Sequence, residues 1–177
     1  MKRQRVRRKY PAKPLKRGLG RAKRRKTKID LWREWLVPDG AARRYQGLRG
    51  IYWYWLSRDV RKSEWKKWDG KCLTCYGYIH NWQEGDCGHV VPSRVCGEIL
   101  RFARRNLTIQ HKGCNNPRFA PHAPALNAIH YDERYGQGAF QKLFDERKTL
   151  TKVPTQEEYR QLIRSLPSYQ SKLSSLK

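Results

Sequence analysis

Two pairs of soft metal ligands stand out in this sequence, Cys72-x-x-Cys75 and His111-x-x-Cys114. Cysteine and histidine ligands paired two residues apart, with a loop between the pairs, have the sequence form of a tetrahedral structural zinc site. Each short turn delivers two ligands to one point, so the four together would staple the segment between them into a closed loop. Cys87 and Cys96 have no partner at comparable spacing and are expected to be free thiols.

The stapled segment holds residues of a different chemistry. His89 follows Asp86 and Gly88 on a candidate strand, Asn106 opens the next candidate strand, and Asn115 directly follows the last cysteine. An imidazole can accept a proton near neutral pH, and side-chain oxygens suit a hard divalent ion. A strand His, a loop Asn and an Asn at a helix start stand in the order of an HNH, or ββα-metal, nuclease site.

These residues have to be positioned by their flanks. Residues 29–36 form a short candidate helix carrying Trp32 and Trp35, and Pro38-Asp39-Gly40 breaks the chain after it. Over residues 41–65, Ala41, Tyr45, Leu48, Tyr52 and Trp55 recur at helical spacing, widened by Ile51 and Leu56. This stripe is expected to be core or a subunit contact rather than a base-stacking surface. Residues 76–80, 87–91 and 107–110 are the strand candidates. A helix is expected to start near Cys114 or just beyond, in a stretch made irregular by Pro117, Pro121 and Pro124; further helices are expected over 126–135 and 138–147. Thr155-Gln-Glu-Glu158 is a capping box opening a helix whose apolar face is Tyr159, Leu162, Ile163 and Leu166; Pro167 should end it, leaving a frayed tail.

Composition limits the partners. The chain of 177 residues has 40 Lys and Arg against 15 Asp and Glu, a net charge of +25. Such an excess repels itself unless a polyanion is bound, so nucleic acid is the expected partner. Residues 1–28 carry 15 of the cations and no acid, and read as a disordered arm that settles on phosphate. A nuclear localisation signal would look similar; an organelle presequence should be amphipathic and serine-rich, which this is not. No apolar run nears the roughly 20 residues that span a bilayer, and the charged N-terminus lacks a secretory h-region, so a cytoplasmic protein without a membrane partner is expected.

The run KCLTC…GH…LRFARRNLTIQHKGCNN, followed by LNAIHYDERYG, resembles the NinG/Rap recombination endonucleases of lambda-like phages. Their ordered motifs are Cys-x-x-Cys, Gly-His, Arg-Phe-x-x-x-Asn and a ligand pair ending Cys-Asn; here these fall on Cys72/Cys75, Gly88-His89, Arg101-Phe102 to Asn106, and His111/Cys114-Asn115. The likeness covers residues 65–145, and a more distant one is to phage endonuclease VII. Two positions depart from the pattern. His111 replaces the usual first thiol of the second pair, which zinc tolerates. Gly88 stands where most HNH sites carry a metal ligand before the histidine, and Asp86, on the same strand face, is the substitute expected.

The resemblance implies an α+β fold. A small zinc-stapled ββα-metal core over 71–135 would be preceded by the basic arm and a helical aromatic-rich segment at 29–70, with C-terminal helices over 136–177. It also implies a metal-dependent endonuclease for Holliday junctions or D-loops, in host cytoplasm if phage-encoded. His89 would activate water, while Mg²⁺ or Mn²⁺ on Asn115 and Asp86 would neutralise the phosphorane and the departing 3′ oxygen. Asn106 would fix the histidine-bearing loop through backbone hydrogen bonds. Arg101, Arg104, Arg105, Lys112 and Arg118 would hold phosphates; His122 is expected to be a solvated loop histidine, with a metal-ligand role as the alternative. A homodimer through the helix at 41–65 would match the two equivalent scissile strands of a junction. The rival reading is a non-catalytic zinc-knuckle protein that binds RNA or DNA. It accounts for the charge and the cysteine pairs but has no need of the His89, Asn106, Asn115 order. An HNH nuclease of another habit, such as a homing endonuclease, is a third reading.

Overall fold

The computed structural model describes residues 34–37, 47–148 and 152–176. The basic arm, most of the helix expected over 29–36, and residues 41–46 of the aromatic segment lie outside them. Among the described residues the chain is α+β, with six α-helices and one two-stranded antiparallel sheet.

Helix α1, Gly47–Lys67, is the spine. Leu48, Ile51, Tyr52, Trp55, Leu56 and Val60 are buried along one side, the i, i+3, i+4 spacing read from the sequence. Full burial of a side chain such as Ile51 or Leu56 contributes on the order of 1.5–3 kcal/mol. The covering elements are α5 (Gln156–Ser165), α6 (Pro167–Ser174) and Leu107 of the sheet, which join α1 in one hydrophobic cluster with Tyr159, Ile163, Leu166 and Tyr169. The described part of the aromatic stripe is therefore core, covered by the chain's own helices. Asp59 sits in the same buried face because its carboxylate accepts the Ser168 backbone N–H at 2.9 Å and lies 3.7 Å from Arg104.

The C-terminal tail departs from expectation. Pro167 ends α5 and also begins α6, since proline at a first helical position gives up only an N–H that has no partner there. Tyr169 then anchors α6 against Trp35 and Trp55, at centroid distances of 5.8 and 5.6 Å. The Thr155 capping box is formed, with both reciprocal hydrogen bonds present.

After α1 the chain turns through Asp69 and Gly70, both at positive φ, and Gly70 is close-packed: a Cβ there would lie 2.8 Å from the Ile79 carbonyl. That carbonyl also accepts the Trp65 indole N–H at 2.7 Å, which ties the helix end to the first cysteine turn. Residues 76–80, expected as a strand, form only an isolated bridge between Lys71 and Tyr78. The chain there doubles back on Cys72: Cys72 donates its N–H to Gly77 and Tyr76 donates to Cys72, with Tyr76 at positive φ. A strand cannot form inside so tight a turn.

The sheet is β1 (Asp86–His89) against β2 (Leu107–Gln110), paired Asp86 to Gln110, Cys87 to Ile109, Gly88 to Thr108 and His89 to Leu107. Between the strands lie a short helix, α2 (Glu98–Phe102), and a 3₁₀ turn at Arg104–Asn106. After β2 no helix begins at Cys114. Turns run to Ala123, where α3 (Ala123–Tyr135) starts, and α4 (Ala139–Asp145) follows the Gly136 break. Pro117 and Pro121 cannot donate to a helical ladder, which accounts for the delay. A second cluster, with Leu73, Val90, Val91, Leu100, Tyr131 and Leu143, packs α3 and α4 under the inter-strand loop.

Candidate functional site

Cys72, Cys75, His111 and Cys114 converge as the sequence spacing requires. Their ligand atoms all lie within 4.8 Å of one another, so the cluster could hold a metal such as zinc. Its surroundings are those of a ligand set. His111 turns Nδ1 to Cys75 Sγ, at 3.2 Å, while its Nε2 donates to the Tyr78 carbonyl at 3.1 Å. A carbonyl on the far nitrogen fixes the tautomer that leaves Nδ1 free to ligate. The His111 backbone N–H donates to Cys72 Sγ at 3.3 Å. Gly77 makes room for the cluster, because a Cβ there would lie 3.1 Å from the His111 ring and 3.3 Å from Cys75 Sγ. Helix α3 is pinned to the first cysteine turn by Thr74, which donates to Asn127 at 2.7 Å, and by His130 Nδ1, 2.7 Å from the Leu73 carbonyl.

His89 lies at the end of β1, half-buried, with its ring stacked on Trp53 of α1 at 5.4 Å and 10°. Its Nε2 is 3.1 Å from the Arg101 carbonyl. Since a carbonyl only accepts, Nε2 carries the proton and Nδ1 keeps the basic lone pair. Burial pushes the imidazole down to about 4, against a smaller opposing effect of the Arg101 carbonyl bond. His89 is therefore neutral at pH 7, the form a general base needs, though less basic than the unperturbed value assumed from sequence. Asn106 is fully buried and clamps the loop between the strands. Its Oδ1 accepts the Val91 N–H at 2.7 Å, and its Nδ2 donates to the carbonyls of Val91 (3.3 Å) and Leu100 (3.2 Å).

Asp86 and Asn115 meet, with Asn115 Nδ2 donating to Asp86 Oδ2 at 3.4 Å. Asn115 does this from the turn after Cys114 rather than from a helix start, held by its N–H to the His111 carbonyl at 3.0 Å. The contact lies beside Gly88: a Cβ there would sit 2.9 Å from Asn115 Oδ1 and would overlap the amide of Gln110. His89, the next residue, points its ring to Trp53, and neither Asp86, Asn106 nor Asn115 is among its partners. His122 is an exposed residue at the start of α3 and belongs to none of these groups.

The five expected phosphate-binding cations divide into two groups. Arg101 turns inward, donating to the Ser93 carbonyl at 2.8 Å and to Glu98 at 3.3 Å. Arg104 faces Asp59, and Arg105 grips Glu146, with Nε 2.8 Å from its carboxylate. Lys112 and Arg118 are exposed and carry no ion pair among the described residues. Glu98, the one acid between His89 and His130, is a knot that ties Arg49, Arg101 and the Tyr159 hydroxyl. Sequence reasoning missed a basic cleft between α1 and α6, of about 760 Å³, lined by Arg58, Lys62, Lys66, Trp82, Arg104 and Lys172. Arg58, Lys62 and Lys66, four residues apart on one face of α1, were its signal, but the partner lysine comes from a helix read as a frayed tail. No protein-family model, curated protein or solved structure matches this chain.

Proposed function

We propose that this protein is a metal-dependent endonuclease of the HNH type, acting on branched DNA and built on a structural zinc. The observation that carries the reading is the succession of two chemistries along the four residues of β1. A neutral histidine held by a loop carbonyl sits next in sequence to a glycine whose side-chain space is lined by Gln110 and Asn115, and Asn115 donates to Asp86.

Each residue then has a task. His89 Nδ1 takes a proton from the attacking water, and the Arg101 carbonyl keeps that nitrogen free to do so. Asp86 and Asn115 supply oxygen atoms suited to Mg²⁺ or Mn²⁺, which when bound neutralises charge developing on the phosphate. Asn106 acts on His89 only through the loop it holds. Zinc on Cys72, Cys75, His111 and Cys114 keeps Asn115, the residue after the last ligand, opposite Asp86. Lys112, Arg118 and the cleft cations are the phosphate-facing charges; Arg101 is given instead to the loop. The preference for a branch follows from the resemblance of the motifs to recombination endonucleases, and the charge of +25 supports DNA as the partner.

The test is incubation of the purified protein with labelled four-way junction, matched duplex and single strand, each with and without Mg²⁺. Mg²⁺-dependent cleavage confined to the junction is the expected result. Tight binding of all three without cleavage under any divalent ion would favour the zinc-knuckle binder.

A further inference from the structure

Gln110 is a polar side chain in an unusual position. It is 1% exposed, and its Nε2 is buried without a hydrogen-bond partner among the described residues. A buried donor left unpaired costs about 1–3 kcal/mol and calls for an acceptor; the atom of the same amide that can ligate a cation is Oε1, whose position is set by the strand register. The amide is aimed at one place. Gln110 is the cross-strand partner of Asp86, and its Oε1 lies over Gly88, in the volume a Cβ of residue 88 would occupy. Asn115 Oδ1 is 2.9 Å from that same point, and Asn115 in turn is bonded to Asp86.

We propose that Gln110 Oε1 is a ligand of the divalent cation, standing in for the side chain that Gly88 lacks. The inference rests on the nuclease reading and adds to it a third oxygen donor and the reason residue 88 is glycine. One carboxylate and two amide oxygens form a hard, oxygen-only set, suited to Mg²⁺ or Mn²⁺ and poorly suited to zinc. With a single negative charge the set binds the ion weakly alone, and the remaining positions are left to water and to a phosphate oxygen. Glycine is required at 88 because any larger residue would displace the Gln110 amide from the ion.

Manganese titration followed by electron paramagnetic resonance reads this directly on the full-length, zinc-loaded protein, with and without duplex DNA. Gln110→Ala should weaken Mn²⁺ binding about tenfold, and Gln110→Glu, which adds a charge at the same place, should strengthen it. Gly88→Asp alone should lose the ion, since its Cβ overlaps the Gln110 amide. Gly88→Asp combined with Gln110→Ala should recover it, because the new carboxylate enters the vacated space. This pair guards against a simple folding defect, which a second substitution would not repair. Unchanged Mn²⁺ affinity in Gln110→Ala, alongside lost affinity in Asp86→Ala, overturns the role of Gln110 and leaves the nuclease reading standing. No saturable Mn²⁺ binding by the unaltered protein overturns both.

Discussion

A histidine in water titrates near 6.5, but His89 is held between an indole face and a loop carbonyl, and burial favours its uncharged form. The consequence extends to stability. Between about pH 6.5 and 4 the unfolded chain binds a proton on this residue that the folded chain does not, so stability rises with pH across that window. The contribution is complete above the unfolded value and is lost as pH falls toward the folded one. His89→Gln should remove it: melting temperatures of the two proteins, measured from pH 7.5 down to 4.5, should converge as the pH drops. A constant difference over that range would mean that His89 titrates normally in the folded protein. A phosphodiester drawn close to the ring would favour the imidazolium and move the value back toward neutrality, which suits a base that must hold a proton in the transition state.

At the scale of elements, the connection between β1 and β2 depends on Asn106. Its amide satisfies the backbone of Val91 and Leu100, from the two sides of the loop that presents Arg101 O to His89. Asn106→Ala leaves the Val91 N–H buried and unpaired, at a cost of about 1–3 kcal/mol. Denaturant melts should show that loss, with a further fall in any cleavage rate because the carbonyl that orients His89 is freed. A variant as stable as the parent would remove Asn106 from this role. The sequence made α1, the β2 strand and the Thr155 cap legible, because each is encoded locally by periodicity, alternation or a capping pattern. It misled at residues 76–80, where a strand-like composition is overridden by the turn that brings Cys75 back toward Cys72. It misled again at α6, whose polar sequence hides one anchoring tyrosine and an N-terminus capped by Asp59 from far along the chain. Of the candidate site, the four soft ligands could be read from spacing, whereas Asp86 and Asn115, which the structure brings into contact, were named from the resemblance. Gln110 could be read from neither, since only the strand register sets its amide over Gly88.

At the scale of the whole molecule, the Cys72, Cys75, His111, Cys114 cluster links α1, the sheet and α3 through small clusters rather than one large core. No helix among the described residues is long and apolar enough to cross a membrane, and the net charge of +25 adds self-repulsion to a modest core. Metal binding in such a fold contributes directly to folding. One zinc per chain is expected by elemental analysis, and a strong zinc chelator should unfold the central region. Removing Mg²⁺ alone should leave the melting curve unchanged while stopping catalysis. A folded, zinc-free protein would contradict the staple. The central claim, that His89 activates water at a divalent-metal nuclease site, is tested most directly by single-turnover cleavage of a labelled four-way junction. Unaltered protein and His89→Ala are compared at saturating concentration with Mg²⁺, once equal zinc content and junction affinity have been established. The variant should cleave more slowly by roughly 10²–10⁴, the usual effect of losing a general base; equal rates would remove His89 from the chemistry.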